Sequence, residues 1–175
     1  MTTVIVMGVA GSGKSVVARA LAESTGWALA DGDDFHPPAN VEKMKSGIPL
    51  DDDERWPWLL AIAAWIGEQE EAGHSSVLTC SALKRSYRDL LRDGHPSVRF
   101  CQLDASTSVL QSRMEARSDH YMPTSLLHSQ LRSLQSLEQD EPGGRVSAEG
   151  DIPTVLRRVL HLLASHGGPA AEAAS

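Results

Sequence analysis

Short apolar runs alternate with amphipathic stretches along most of this chain. Thr3-Val4-Ile5-Val6-Met7 is apolar almost without a break, the pattern of a short strand buried on both faces. Val16 to Ala22 then places Val17, Ala20 and Leu21 on one helical face. Trp27 to Ala30 predicts a second strand, which runs into the polar bend Asp31-Gly32-Asp33-Asp34-Phe35-His36-Pro37-Pro38. Asn40 to Ser46 predicts a short helix closed by Gly47 and Pro49. Asp51 or Asp52 can cap a long helix in which Leu59, Ile62, Ala63 and Ile66 recur at helical spacing, ending near Gly73. Ser76 to Cys80 predicts a third strand and Ala82 to Arg92 a helix. Val98 to Leu103 predicts a fourth strand, and about Ser106 to Ala116 the helix after it. Past the polar stretch Ser118 to Thr124, a helix from Thr124 to about Glu138 gathers Leu126, Leu127, Leu131 and Leu134 on one side. Arg145 to Ala148 predicts a weak last strand, and Ile152 to Ser165 a last helix.

Strands alternating with helices predict an α/β fold: a doubly wound parallel sheet with helices on both faces and right-handed crossovers. The length fits one domain over residues 1–166, and the small-residue stretch 167–175 reads as a flexible tail. In such sheets ligands bind beyond the carboxyl ends of the strands, so the residues after strands one to four are expected to share one crevice. A net charge of −7 leaves no basic stripe for nucleic acid. Cys80 and Cys101 lie in apolar runs without a C-x-x-C spacing and read as buried thiols. No apolar run approaches a membrane span, and no targeting segment precedes the first strand, so a cytoplasmic location is expected.

Within that frame Gly8-Val9-Ala10-Gly11-Ser12-Gly13-Lys14-Ser15 fits G-x-x-x-x-G-K-[ST] between a strand and a helix. Backbone N–H groups and the positive helix end can cradle nucleotide phosphates, Lys14 adds a charge, and Ser15 offers a hydroxyl to Mg²⁺. Asp31 and Asp33 leave the second strand two positions apart, which puts both carboxylates on one side of an extended segment. One suits water on Mg²⁺ and the other suits the proton of an attacking hydroxyl. His36 is a candidate substrate contact or a scaffold for the turn, and Asp34, facing away, reads as structural. Arg55, Lys84 and Arg88 are candidate anion clamps; the last two lie four apart, expected on one helix face. Arg113 and Arg117 precede the polar stretch at about 117–124, which reads as a lid that excludes water on closure. Trp56, Trp58 and Trp65 read mainly as packing.

Four stretches together resemble the gluconokinases of the small P-loop kinase type: MGVAGSGKS, DGDDFHPPANVEKMKSGIPLDDDERWPWL, TCSALKRSYRDLLR and SRMEARSDHYMP. The likeness spans roughly residues 4–135 and is carried mostly by the second and third stretches. It departs from the family pattern at Leu131, Gln135 and Arg145-Val146-Ser147-Ala148. The resemblance implies ATP-dependent phosphorylation of D-gluconate at its 6-hydroxyl, with Mg²⁺, a five-stranded sheet of order 2-3-1-4-5 and a homodimer. It also implies a helical substrate-binding segment at about 36–73. By position, Gly8 to Ser15 would hold ATP with Arg113 and Arg117, and Asp33 would be the base. Asp31 would stand near Mg²⁺ through water, and His36, Arg55, Lys84 and Arg88 would line the gluconate site. Two alternatives stay open. One is a kinase for another small hydroxy-substrate such as shikimate, a nucleoside monophosphate or a different aldonate. The other is a non-catalytic nucleotide-binding switch, although no N-K-x-D motif appears.

Overall fold

A computed structural model of the chain describes residues 1–116 and 125–165. The expected lid, Arg117 and the tail lie outside those residues. Five parallel strands form one sheet in the order β2-β3-β1-β4-β5: β1 Thr3–Met7, β2 Ala28–Asp31, β3 Ser76–Cys80, β4 Val98–Asp104 and β5 Gly143–Ser147. β1 and β3 are buried at every position, as their unbroken apolar runs require. Helices α1 Lys14–Thr25, α2 Pro38–Lys45, α3 Asp52–Glu71, α4 Arg85–Arg92, α5 Thr107–Glu115, α6 Ser125–Ser133 and α7 Ile152–Ser165 cover its faces.

Two apolar clusters sandwich the sheet. Val4 and Val6 face Val17 and Leu21 of α1 and Val155 and Val159 of α7. Ile5 and Met7, one residue out of phase, face Trp58, Ile62 and Ile66 of α3 and Leu91 of α4. This alternation is the period-two side-chain geometry of a strand covered on both sides. Among the described residues no helix is long and apolar enough to cross a membrane.

Three boundaries move from their expected places for local reasons. α4 opens at Arg85 rather than Ala82, because Ala82 adopts φ +43° and Lys84 is the extended residue before the first turn. α6 stops at Ser133 rather than near Glu138: Gln135 N–H turns away to the Leu83 carbonyl, and Glu138 N–H to the Glu141 carboxylate. β5 opens at Gly143 rather than Arg145. A Cβ at Gly143 would sit 1.9 Å from the Phe100 carbonyl oxygen, so the strand begins where only glycine fits against β4. At α3, the choice between Asp51 and Asp52 resolves to Asp51. Its side chain accepts from Glu54 N–H while the Glu54 carboxylate takes the Asp51 N–H, a reciprocal cap.

Candidate active site

Residues 8–15 turn tightly from β1 into α1. Gly11 takes φ +79° and has no room for a side chain, since a Cβ there would lie 2.8 Å from the Leu110 carbonyl oxygen. Lys14 donates to the Val9 carbonyl at 3.1 Å, folding its ammonium back over the loop, while Ser15 is exposed in the first turn of α1. The Ser12 hydroxyl is buried with no hydrogen-bond partner among the described residues. Arg113, on α5, reaches the Ser12 carbonyl at 3.4 Å and the Ala148 carbonyl at 2.7 Å. The structure therefore sets Arg113 against the phosphate loop, at the ends of β1 and β5.

The acidic bend lies on the neighbouring side of the sheet end. Asp31 ends β2, and residues Gly32–Phe35 wind into a 3₁₀ turn rather than continuing extended. The expected extended segment, with the Asp31 and Asp33 carboxylates on one side, is replaced by a capping geometry. Asp31 Oδ1 accepts from Asp33 N–H at 3.0 Å and from the Thr79 hydroxyl at 2.7 Å. Gly32 presses on β3, where a Cβ would come within 2.1 Å of the Thr79 carbonyl oxygen. Its own carbonyl takes the Trp58 indole N–H at 2.7 Å, which fastens the bend to α3. Despite the different local conformation, Lys14, Ser15, Asp31, Asp33, His36 and Arg55 all line one cleft at the carboxyl end of the sheet.

His36 stacks on Trp58, with ring centroids 4.2 Å apart and planes 14° from parallel. Its Nδ1 is buried without a hydrogen-bond partner among the described residues. Burial, reinforced by the Arg55 charge, pulls its pKa from 6.5 down to about 4, so at neutral pH the ring is uncharged. It can hydrogen-bond to a hydroxyl without contributing a cation.

The expected anion clamps separate. Arg55 faces the cleft, with Nε held by the Leu50 carbonyl at 3.3 Å. Lys84 lines an adjoining groove and is paired with Asp52 at 2.8 Å. Arg88 does not reach the crevice. It is 1% exposed, clasps Glu141 through Nε and Nη2 at 2.5 and 2.8 Å, and gives Nη1 to the carbonyls of Ala82 and Gln135. Because Lys84 precedes the helix and Arg88 lies inside it, the two do not form a common face. Burial opposes ionisation of Glu141, yet the Arg88 bonds prevail and hold its carboxyl below the usual range.

Two contributors were not among the site residues read from the sequence. Gln130, on α6, accepts the Ala10 N–H at 2.7 Å and thus touches the phosphate loop from 120 residues away. Thr79 orders Asp31 from the adjacent strand. Thr79 stands at the end of a predicted strand and opens the stretch TCSALKRSYRDLLR, two signals that could have found it. Cys80 and Cys101 are buried free thiols, their pKa pushed up to about 12 by burial, and are inert to ionisation at neutral pH. Among the described residues no three His, Cys, Asp or Glu side chains converge on a metal-sized site.

Residues 4–137 match the AAA domain family. A gluconokinase of Gluconobacter oxydans is 50% identical over 156 residues, which cover 89% of this chain and 88% of that relative. The thermoresistant gluconokinase of Escherichia coli is 44% identical over 78% of both chains. Among solved structures, a gluconokinase from Sinorhizobium meliloti superposes with a TM-score of 0.83 at 45% identity, covering 94% of this chain and 92% of the other. A sugar kinase from a Janibacter species, solved without ligand, reaches 0.90 at 46% identity and covers 98% of both. A shikimate kinase from Aquifex aeolicus shares the fold alone, at 15% identity and a TM-score of 0.61. With its phosphate loop and acidic bend meeting in one cleft, and with these relatives matching it along most of their length, the chain belongs to the gluconokinase family of P-loop kinases.

Proposed function

We propose that this chain phosphorylates D-gluconate at its 6-hydroxyl with ATP, and that Asp33 is the base. The observation that supports this reading is the shared cleft. Lys14 of the phosphate loop and Asp33 of the acidic bend line the same crevice, with Arg55 on its wall. The γ-phosphoryl group would lie against the loop N–H groups and Lys14, and the acceptor hydroxyl on the Asp33 side. Asp33 takes the hydroxyl proton as the 6-oxygen bonds to the γ-phosphorus; the bond to the bridging oxygen breaks, and ADP leaves with that electron pair. Arg55 offers a planar fork to the acid's carboxylate, at the end opposite the reacting carbon. Neutral His36 offers a hydrogen bond to a sugar hydroxyl.

The donor set fits Mg²⁺ better than a protein-caged metal. A hard cation that keeps most of its water needs only a hydroxyl and a carboxylate besides the nucleotide's phosphates, and Ser15 and Asp31 line the cleft. These two residues would hold it, Asp31 through water. When bound, Mg²⁺ offsets charge on the phosphate oxygens. Arg113 is positioned for the nucleotide side, and Arg117 belongs to the same reading although it lies outside the described residues. We read residues 1–166 as one catalytic unit that acts in the cytoplasm as a homodimer without nucleic acid.

Asp33→Asn tests the assignment. Turnover should fall on the order of 10²–10⁴-fold with little change in nucleotide affinity. Near-wild-type kcat in a coupled ADP-release assay would reject Asp33 as the base. Turnover of shikimate or a nucleoside monophosphate in preference to gluconate would reject the acceptor.

A further inference from the structure

A side groove adjoins the main cleft and shares Leu50, Arg55 and Ser133 with it, and on its far side stand Lys84 and Tyr87. Two cations bear on the Tyr87 ring: the Arg55 guanidinium carbon at 5.7 Å from its centroid and the Lys84 nitrogen at 5.6 Å. Such distances are within the reach of the attraction between a cation and an aromatic face. The Tyr87 hydroxyl donates to Asp52, and the same carboxylate holds Lys84 through both oxygens, at 2.8 and 3.0 Å. Trp56 abuts the ring edge-on with centroids 6.0 Å apart. Tyr87 itself is 1% exposed, so the ring is fixed by its packing rather than by the cations.

Local stability does not explain this arrangement. Arg55 sits in the first turn of α3, where the helix dipole disfavours a cation. Its Nε is spent on the Leu50 carbonyl, its two terminal nitrogens find no acceptor among the described residues, and the residue lines both cleft and groove. Two cations brought near one another repel unless something steadies both. Asp52 does so for Lys84 by pairing with it, and the buried ring does so for Arg55 without forming an ion pair that would spend the charge an acid substrate needs.

We propose that Tyr87 is a positioning residue: its ring sets Arg55 for the carboxylate end of the acceptor, and so fixes the preference for a sugar acid over the uncharged analogue. This rests on the reading of the acceptor as gluconate. The ring is the working part, and the hydroxyl serves mainly to anchor Asp52.

Steady-state kinetics with D-gluconate and the neutral D-gluconamide test this in the full chain. The wild type should prefer the acid in kcat/KM. Tyr87→Phe keeps the ring and should hold that preference within about threefold. Tyr87→Leu should lower it about tenfold, through KM for gluconate and with kcat nearly unchanged. Should the leucine variant not fold, pentafluorophenylalanine in place of Tyr87 keeps the shape while draining the ring's negative face, and should give the same loss. An unchanged acid preference in the ring-depleted protein overturns the proposal, as does an equal fall for both acceptors. A wild type that does not phosphorylate gluconate refutes the acceptor assignment instead, and a kcat loss without a KM change points to a merely structural role.

Discussion

His36 meets Trp58 face to face at the mouth of the acidic bend, with Arg55 close enough to weigh on its charge. Its folded pKa of about 4 lies below the ordinary 6.5, so between these values the unfolded chain takes up a proton that the folded chain refuses. Stability therefore falls as pH drops from 6.5 toward 4, and the loss levels off below that. With the ring partly wet, the contribution between about pH 7 and pH 5 is on the order of 1–2 kcal/mol. The depressed carboxylates Asp52 and Glu54 begin to titrate only below their ordinary values of 3.8 and 4.5, outside most of that window. Urea midpoints should thus fall more steeply for the wild type than for His36→Gln between about pH 7 and pH 5. Parallel slopes would show that the histidine is not held neutral. At this scale the sequence was legible where chemistry sits in contiguous stretches, as in the loop 8–15 and the bend 31–36. Arg88 was misplaced because an arginine four residues after a lysine suggests one helix face turned to the crevice, and so an anion clamp. Its partner Glu141 lies 53 residues away, and no local pattern joins them.

That pair belongs to the scale of elements, since it fastens α4 to the segment that leads from α6 into β5. Arg88 and Glu141 are 1% and 2% exposed at their side chains, and every hydrogen bond they make is inside the protein. Removing one partner strands a buried charge, so Glu141→Gln should destabilise the fold by about 3–5 kcal/mol. Arg88→Met with Glu141→Leu should cost less than the two single changes summed, because neither charge is then left alone. Denaturant titration of the four proteins supplies the cycle, and a near-zero coupling would mean the clasp is not an anchor. The KM for gluconate in the folded fraction should stay near wild type, in contrast to what a clamp on substrate would give. The same region marks where element boundaries escaped the sequence. Apolar periodicity carries on past Ser133, but a tertiary bond from Gln135 to Leu83 and a local turn bond from Glu138 to Glu141 draw the chain out of the helix. β5 begins on two glycines, which carry no hydrophobic signal at all. By contrast β1 and β3 were legible almost to the residue, since burial on both faces demands an uninterrupted apolar run.

Across the whole molecule, the cleft draws its walls from segments scattered through the chain: the loop after β1, the bend after β2, the residues after β3, and α6 through its hold on Ala10. The parallel sheet makes this possible by bringing the carboxyl ends of β2, β3 and β1 side by side, an arrangement that the alternation of strands and helices already required. A ligand seated there touches elements that separate on unfolding, so it must raise the stability of the molecule as a whole. At 100 times its dissociation constant, a ligand that binds only the folded state adds about 2.7 kcal/mol. For a chain of this length that is roughly 5–10 °C in Tm. A non-hydrolysable ATP analogue and gluconate should each raise Tm by about that amount at such an excess, and more together than either alone. D-glucose at the same concentration as gluconate keeps the hydroxyls and lacks the carboxylate, so its shift should be close to zero. Because the net charge of −7 opposes any anion, a selective rise with the acid requires local cations in the cleft, and Arg55 is the one facing it from α3. Equal shifts with gluconate and glucose would remove the carboxylate from the recognition scheme, and with it the role assigned to Arg55.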